Sequence, residues 1–281
     1  IKKTERNNTI HIKYINTKKK PSHSRFVFNV ERGAQVTVIE TFFSEFASFN
    51  NTVSLWKVAN MASVTKYSFG SRGGEHPSSQ SINSEIIQQQ SKSVCSFFSF
   101  YCKDDFLGCP GLVRNNFRAT LMGEAASSNL YSISMLSKDA HVDNNVSITH
   151  LSPNCSSTQI FKGIYGQSSS GVFDSCVYVK KGAQKSDTIQ SNKNLLLSDL
   201  ASINSNPKLE IFADDVSCAH GSTIGQIDNK GLFYLQSRGV DKELAKSLLL
   251  FAFLNDVIDA VSNKKINALI RRGFNKQLNI D

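Results

Sequence analysis

Alternation of apolar and polar residues runs along the chain from its start to about residue 225. In residues 34–42, Val36, Val38 and Glu40 fall on one face, since successive side chains of a strand point to opposite faces. Ser, Asn, Gly and Asp separate the alternating segments. The pattern predicts short strands at 9–15, 25–30, 34–42, 54–60, 93–102, 130–136, 145–151 and 171–180.

Many short strands at fairly even spacing are typical of a sandwich, a barrel or a solenoid. Hairpin turns of the Asn-Gly or Asp-Gly type are absent from this region, which favours strands joined by wider turns. In a β-helix, such strands stack coil upon coil. Because the sequence has no strict short repeat, the pattern alone does not choose among the three architectures.

The last fifty or so residues have a helical pattern instead. Asp228 is a good N-cap for a helix over 229–238, and Asp241 for a longer one over 242–261. A weaker third helix is predicted over 266–278. In the middle of the long helix, apolar residues cover most of the circumference, so it is buried on more than one side or a partner covers part of it.

This change of pattern predicts two domains. Residues 1–227 form a mainly β domain, and residues 228–281 form a small C-terminal helical domain. The chain starts at Ile1 without a signal-peptide pattern, and we expect the start of the natural protein to be absent from it.

Composition indicates an ordinary globular protein, with 40% hydrophobic and 20% charged residues. The longest apolar run, 247–254, is too short to span a bilayer, so no membrane segment is predicted. The net charge is +9, but the basic residues are scattered. This favours an acidic protein partner or plain solubility over nucleic-acid binding.

Six cysteines in 281 residues are too few for a disulfide scaffold. Cys95, Cys102 and Cys109 lie seven residues apart, which matches no zinc-ribbon or ferredoxin spacing. If one strand carries Cys95 and Cys102, their odd separation puts them on opposite faces. We interpret all three as ordinary buried or half-buried thiols in a reducing compartment.

Cys218 and His220 follow the pair Asp214-Asp215. In an extended segment their side chains share one face, roughly 6 to 7 Å apart. That distance disfavours a Cys–His pair for nucleophilic catalysis but suits two ligands that hold a metal or a cluster between them. Two ligands do not suffice, so the others come from a distant part of the chain or from another chain. A purely structural turn is the alternative.

Nucleotide-binding and hydrolase motifs are absent from the sequence. No P-loop, no G-x-G-x-x-G after a strand and no G-x-S-x-G is present. We therefore expect no nucleotide bound by this chain and no self-contained enzyme activity.

Residues 206–240, NPKLEIFADDVSCAHGSTIGQIDNKGLFYLQSRGV, resemble the signature region of the SufB/SufD family of iron–sulfur cluster assembly scaffold subunits. The resemblance extends back through 180–198 and 150–173, and more loosely over nearly the whole chain. The Asp-Asp-Val-x-Cys-x-His-Gly pattern favours the SufD branch. Ser217 and Ala219 stand where the family commonly has Lys and Ser, which leaves Cys218 and His220 in place.

The resemblance implies a right-handed parallel β-helix followed by a C-terminal helical domain, in a complex with SufB and the ATPase SufC. The β-helices of the two Suf subunits would pair near the Cys-His segment and share a transient iron–sulfur cluster, with His220 and Cys218 as this chain's ligands. The helical domain would dock SufC, and the residues assigned to that interface are Leu232, Phe233, Leu249, Phe251 and Phe253.

Two other classes of function are weighed against this one. A β-solenoid interaction module without a metal role would use its basic surface and would not need His220. A Cys-dependent enzyme centred on Cys218 would need a thiol pKa well below the free value of about 8.5. A homodimer is an alternative partner arrangement, and the compartment is the cytoplasm or, alternatively, a plastid.

Overall fold

A computed structural model describes residues 1–3, 8–17, 20–44, 49–73, 80–102 and 111–280. The strands are β1 Asn8–Asn16, β2 Ser22–Val30, β3 Gln35–Ser44, β4 Phe49–Val58, β5 Ser63–Gly73, β6 Gln80–Gln89, β7 Val94–Cys102, β8 Leu112–Leu121, β9 Ser127–Leu136, β10 His141–His150, β11 Ser156–Tyr165, β12 Ser170–Val179, β13 Ser186–Leu196, β14 Ser202–Ile211 and β15 Val216–Gly225. The helices are α1 Asn229–Ser237, α2 Lys242–Asp259 and α3 Lys264–Leu278.

The strands form two parallel sheets. The odd-numbered strands make an eight-stranded sheet in the order β1 to β15, here called sheet A, and the even-numbered strands make a seven-stranded sheet, sheet B. Each strand pairs in parallel with the strand two places along the chain, so the chain alternates between the sheets. This is a parallel β-helix followed by helices, as the family resemblance predicted. Each of the eight strands predicted from alternation overlaps an observed strand.

One corner of the solenoid repeats a left-handed backbone conformation in each coil. Residues with positive φ at this corner donate their N–H to a carbonyl in the next coil, as Met61 does to Ser91 at 3.0 Å and Ala125 to Pro153 at 3.1 Å. The residue that follows each of them is small and buried, which lets successive corners stack. The corner residues are Gly33, Met61, Lys92, Ala125, Asn154 and Lys185.

This corner is the repeat that the sequence pattern did not reveal. Its members are chemically unlike one another, since only Gly33 and Asn154 are typical of a left-handed conformation. Backbone hydrogen bonds between coils hold the other residues there, so the repeat exists in conformation rather than in residue type.

Two apolar clusters lie on opposite faces of sheet A. The inner cluster fills the solenoid and contains Cys95, and the outer cluster lies between sheet A and the helices and contains Cys102. The prediction that these two thiols occupy opposite faces is confirmed, and both are fully buried. Cys109 lies outside the described residues.

Helices α2 and α3 cover the outer face of sheet A. Leu254 and Phe274 are buried in the same cluster as Phe100 and Ile164 of the sheet. Lys162 of β11, 5% exposed, extends to Asp256 of α2, with Nζ 2.8 Å from Oδ2. An apolar cluster and an ion pair therefore attach the helices to the sheet.

The predicted helix starts are confirmed. Asp228 caps α1 by accepting a hydrogen bond from Lys230 N, and Asp241 caps α2 by accepting from Glu243 N. The change from strand to helix falls between Gly225 and Asn229. The division into two domains stays a prediction.

In the described part of the chain, no helix has the length and apolar character needed to cross a bilayer.

A charged cluster lies buried inside the N-terminal coils. Lys66 Nζ lies 2.7 Å from Glu40 Oε2 and also contacts Glu85 Oε1. Trp56 Nε1 donates to the other oxygen of Glu85 at 2.6 Å, and Tyr14 OH donates to Glu40 at 3.1 Å. A cavity of about 50 Å³ adjoins the cluster, enough for a few water molecules.

Candidate functional site

Cys218 and His220 lie on β15, which is an edge strand of sheet A. The strand is extended, so the two side chains share one face as the sequence spacing required. Cys218 is partly buried and packs against the inner cluster, and His220 is exposed. Their face is therefore the inner one, at the C-terminal end of the solenoid.

The neighbouring strand places polar side chains beside both residues. In the parallel register of β13 and β15, Thr188 lies next to Cys218 and Gln190 next to His220. Gln190 is 1% exposed and its Nε2 donates to Ser175 Oγ at 2.5 Å. Its Oε1 has no hydrogen-bond partner among the described residues.

Gln190 is a site residue that the sequence reasoning missed. Its only signal is that it precedes His220 by one coil and falls in register with it. Sequence alone does not supply that register, because the coils have no strict length.

The last coil closes with further polar contacts. Ser222, on the same face as His220, donates to Ser205 Oγ of β14 at 2.7 Å, and Asn192 Nδ2 also donates to Ser205, at 2.7 Å. These contacts join the two sheets behind the Cys-His pair. The end of the solenoid interior is therefore polar, unlike the apolar inner cluster behind it.

Asp214 and Asp215 belong to the turn before β15. The carbonyl of Asp215 accepts from Lys185 N at 2.5 Å, and the N–H of Asp215 donates to Gln184 Oε1 at 2.9 Å. Its backbone thus ends the ladder of corner hydrogen bonds. The hydrogen bonds of this turn are thus made by the backbone of Asp215.

The electrostatic setting of Cys218 does not activate its thiol. Burial, and then the carboxylate of Asp187, raise the pKa of Cys218 above its ordinary value. A nucleophilic cysteine needs the opposite direction, so this setting argues against the Cys-dependent enzyme.

The pair is also incomplete as a metal site. In the described residues, no group of three or more His, Cys, Asp and Glu side chains is arranged to hold a metal ion. One thiol and one imidazole are suitable donors for iron or zinc, but three or four donors are usual. Cys218 and His220 therefore supply fewer donors than a tight metal site requires.

The five residues assigned to the SufC interface have different environments. Phe233 of α1 is 73% exposed, next to Tyr234 at 57%. Phe253 is partly buried in the outer cluster, with its ring centre 4.5 Å from Lys162 Nζ. The other three, each partly buried, are Leu232, Leu249 and Phe251.

The fold and the candidate site together define a parallel β-solenoid that presents a thiol and an imidazole on its last strand. The chain belongs to the family described as SUF system FeS cluster assembly, SufBD core domain, which matches residues 13–253.

Individual relatives agree with this assignment. The chain is 28% identical over 263 residues to iron–sulfur cluster assembly protein SufD of Escherichia coli, covering 92% of this chain and 59% of that one. It is 30% identical over 258 residues to an iron–sulfur cluster assembly SufBD family protein of Synechocystis, covering 88% and 55%. It is 29% identical over 249 residues to the chloroplastic protein ABCI7 of Arabidopsis thaliana, covering 87% and 50%. The chain thus spans about half to three-fifths of these relatives' length.

Proposed function

We propose that this chain is the SufD-type subunit of an iron–sulfur cluster assembly scaffold, in which it pairs with SufB and binds the SufC ATPase. The observation that carries the proposal is the position of Cys218 and His220, two metal donors on an edge strand at the end of the solenoid. The membership of the chain in the SufBD core domain family supports it.

Pairing with SufB would use the last coil. β14 and β15 are edge strands of their sheets, and every residue from Ala219 to Gly225 is exposed. An edge strand leaves a row of backbone N–H and C=O groups unpaired, which a strand of another chain can extend. A second copy of this chain has the same edge, so the oligomeric state without SufB tests the homodimer alternative.

The nascent cluster is the cargo of this site. Cys218 Sγ and the His220 imidazole would supply two donors, and the partner would supply the rest. Because the pKa of Cys218 is raised, its thiol stays protonated near neutral pH until iron displaces the proton. Iron capture would therefore release protons and depend on the partner's donors, which restricts assembly to the complex.

Docking of SufC would use α1. Phe233 and Tyr234 form an exposed aromatic pair on a helix that packs on α2. Exposed aromatic residues are preferred anchors at protein interfaces. Phe253 is less available, because it packs against the sheet beneath Lys162. No nucleotide is bound by this chain in this scheme, since SufC supplies the ATPase.

The first test is anaerobic co-expression with SufB and SufC, followed by iron and sulfide analysis of the purified complex. His220→Ala should leave the complex intact and remove most of its iron and sulfide. The matched control is His11→Ala, which removes an exposed histidine from β1 at the other edge of sheet A. Equal iron in the His220→Ala and control complexes would instead favour the interaction module without a metal role.

The second test addresses SufC. Phe233→Glu should reduce SufC capture by about tenfold or more, because it puts a charge in the centre of an apolar contact. Leu200→Glu is the control, since Leu200 is 76% exposed in the turn between β13 and β14. Unchanged capture by a folded Phe233→Glu chain would contradict docking through α1.

Whether the compartment is the cytoplasm or a plastid stays a prediction.

A further inference from the structure

The outer face of sheet B differs from that of sheet A. The helices pack on sheet A, where they bury Phe100 and Ile164 among others. In the described part of the chain, the strands with substantial helix contacts, β9 and β11, both belong to sheet A. The outward side chains of sheet B are therefore not covered by α1, α2 or α3.

An aliphatic patch lies on this outer face in the N-terminal half of the solenoid. Val27, Leu55 and Ile86 are direct neighbours across β2, β4 and β6. Val27 is 63% exposed and Ile86 38%. Neighbouring parallel strands lie about 4.8 Å apart, so Val27, Leu55 and Ile86 form a continuous row. Val53, two residues before Leu55, and Ile82, four residues before Ile86, lie on the same outward face in two other rows.

Basic side chains surround the patch. Arg118 follows Ile86 in the same row, Lys57 follows Leu55 on β4, and Arg25 precedes Val27 on β2. In the described residues, none of these three side chains forms an ion pair with a carboxylate. Arg114 is the fourth, and its Nε lies 3.5 Å from Asp143 Oδ2.

Acidic side chains are absent from the outward positions of the same four strands. No Asp or Glu occupies an outward position of β2, β4, β6 or β8; the single carboxylate of these strands, Glu85, points inward to Lys66. An aliphatic centre with a basic rim is the arrangement of a protein-binding surface whose partner carries the opposite charge.

We propose that this outer face of sheet B is a docking surface for an acidic polypeptide segment of a partner protein, in which carboxylates flank aliphatic side chains. The aliphatic residues would cover Val27, Leu55 and Ile86, and the carboxylates would meet Arg25, Lys57 and Arg118. The proposal goes beyond the cluster-assembly role and does not depend on the Cys218–His220 site, which lies on the other sheet in the last coil.

The chemistry of the patch favours a peptide over nucleic acid. A nucleic-acid backbone would satisfy the cations but would leave the aliphatic centre in contact with sugars and phosphates. Non-specific nucleic-acid grooves combine cations with aromatic side chains on which bases stack, whereas the centre of this patch is aliphatic. An acidic segment with aliphatic side chains satisfies both parts of the surface.

Fluorescence anisotropy tests the proposal with a labelled synthetic peptide of alternating glutamate and leucine. We expect the peptide to bind the wild-type chain, and Arg118→Glu or Ile86→Ser to weaken binding by about tenfold. The matched control is Lys181→Glu, which makes the same charge change as Arg118→Glu in an exposed turn away from the face. Circular dichroism and thermal unfolding establish that each variant is folded.

Three comparisons decide the outcome. A loss with Arg118→Glu and with Ile86→Ser, but not with Lys181→Glu, supports the docking surface. Equal binding of a glutamate-only peptide would mean that charge alone is recognised and would overturn the proposal. Tighter binding of a single-stranded oligonucleotide than of the peptide, lost in Arg118→Glu, would overturn it in favour of nucleic acid. Iron content in the complex is a separate measurement, so failure here leaves the assembly role untouched.

Discussion

Glu85 is an acid buried beside one cation and near a second acid. Burial is the largest influence on it, and although Lys66 opposes burial, the pKa of Glu85 is raised to about 7. Burial alone would lower the pKa of Lys66, but the nearby carboxylates outweigh it, and that pKa is raised above its ordinary value. The lysine therefore stays charged, and Glu85 is the member of the cluster that titrates near neutral pH.

This arrangement makes stability depend on pH. Unfolded Glu85 has an ordinary pKa of about 4.3, so between about pH 4.3 and pH 7 the folded chain holds a proton that the unfolded chain has released. The contribution of Glu85 to stability is thus full below this window and declines as pH rises through it. We expect a decline on the order of 3–4 kcal/mol across the whole window.

Urea unfolding of wild type and Glu85→Gln at about pH 5 and about pH 8 measures this contribution. The neutral variant should lose less stability than wild type between the two pH values. His150 has the opposite sign, because burial lowers its pKa to about 4 and its contribution is lost as pH falls from about 6.5. It is present in both proteins, so it cancels in the difference. Parallel pH profiles would contradict the assignment to Glu85.

Gly163 tests packing at a single residue. A Cβ placed there would lie 2.4 Å from Tyr165 Cε2 and 2.5 Å from Asn194 Oδ1, inside the solenoid. We expect Gly163→Ala to destabilise the fold by about 1–3 kcal/mol. The control is Gly166→Ala, whose nearest atom would be Leu136 O at 3.7 Å. If the two variants unfold at the same urea concentration, Tyr165 can move aside at little cost. The close packing at Gly163 would then contribute little to stability, contrary to the prediction.

The ion pair between α2 and β11 tests how firmly the helices are attached to the sheet. Lys162 is buried beneath the helix, with its charge opposite Asp256, whose side chain is 55% exposed. Asp256→Asn should destabilise the chain by about 1–2 kcal/mol, less than for a fully buried pair, because water still reaches the site. Chemical unfolding can be followed by circular dichroism of the helices and by the fluorescence of Trp56 inside the solenoid. A helical signal that is lost at lower denaturant than the tryptophan signal would show that the helices detach first.

A second pair on α2 provides the control. Asp259 contacts Arg271 of α3, and both side chains are substantially exposed. Asp259→Asn should change the unfolding free energy by less than about 1 kcal/mol. An equal effect of the two substitutions would mean that burial of Lys162 adds nothing to the attachment of the helices.

The elements show what the sequence could and could not predict. Residues 34–42 were recognised as a strand because Val36, Val38 and Glu40 alternate with outward residues. β5, β6, β8, β11, β13 and β14 were missed. In β13 the inward positions are polar, as at Gln190 and Asn192, so apolar alternation does not mark the strand. The helix starts at Asp228 and Asp241 were found because capping is local.

Contacts between coils lay beyond the sequence pattern. The spacing of Cys218 and His220 is local and was found, but the neighbour Gln190 depends on a register that separates it by thirty positions. The same holds for Lys66, which meets Glu40 and Glu85 from two other strands. The alternating pattern placed Glu40 on the same face as Val36 and Val38, but it did not identify Lys66 as its partner.

The whole molecule is a stack in which each coil contacts its immediate neighbours. β15 has one neighbour in sheet A, whereas β9 and β11 each have two. Local opening should therefore need less free energy at β15 than at β9 and β11. We expect hydrogen exchange at β15 to be faster than at β11, and to slow when SufB is added. Equal protection of the two strands in the free chain would contradict this gradient.

The ladder of corner hydrogen bonds has a consequence for the length of the molecule. Since each corner is satisfied by the backbone of the next coil and not by a particular side chain, the corner hydrogen bonds place no limit on the number of coils. Each coil shifts one end of the stack by about 4.8 Å relative to the other. The number of coils therefore sets the distance between the basic-rimmed face of sheet B and the Cys-His end of the solenoid.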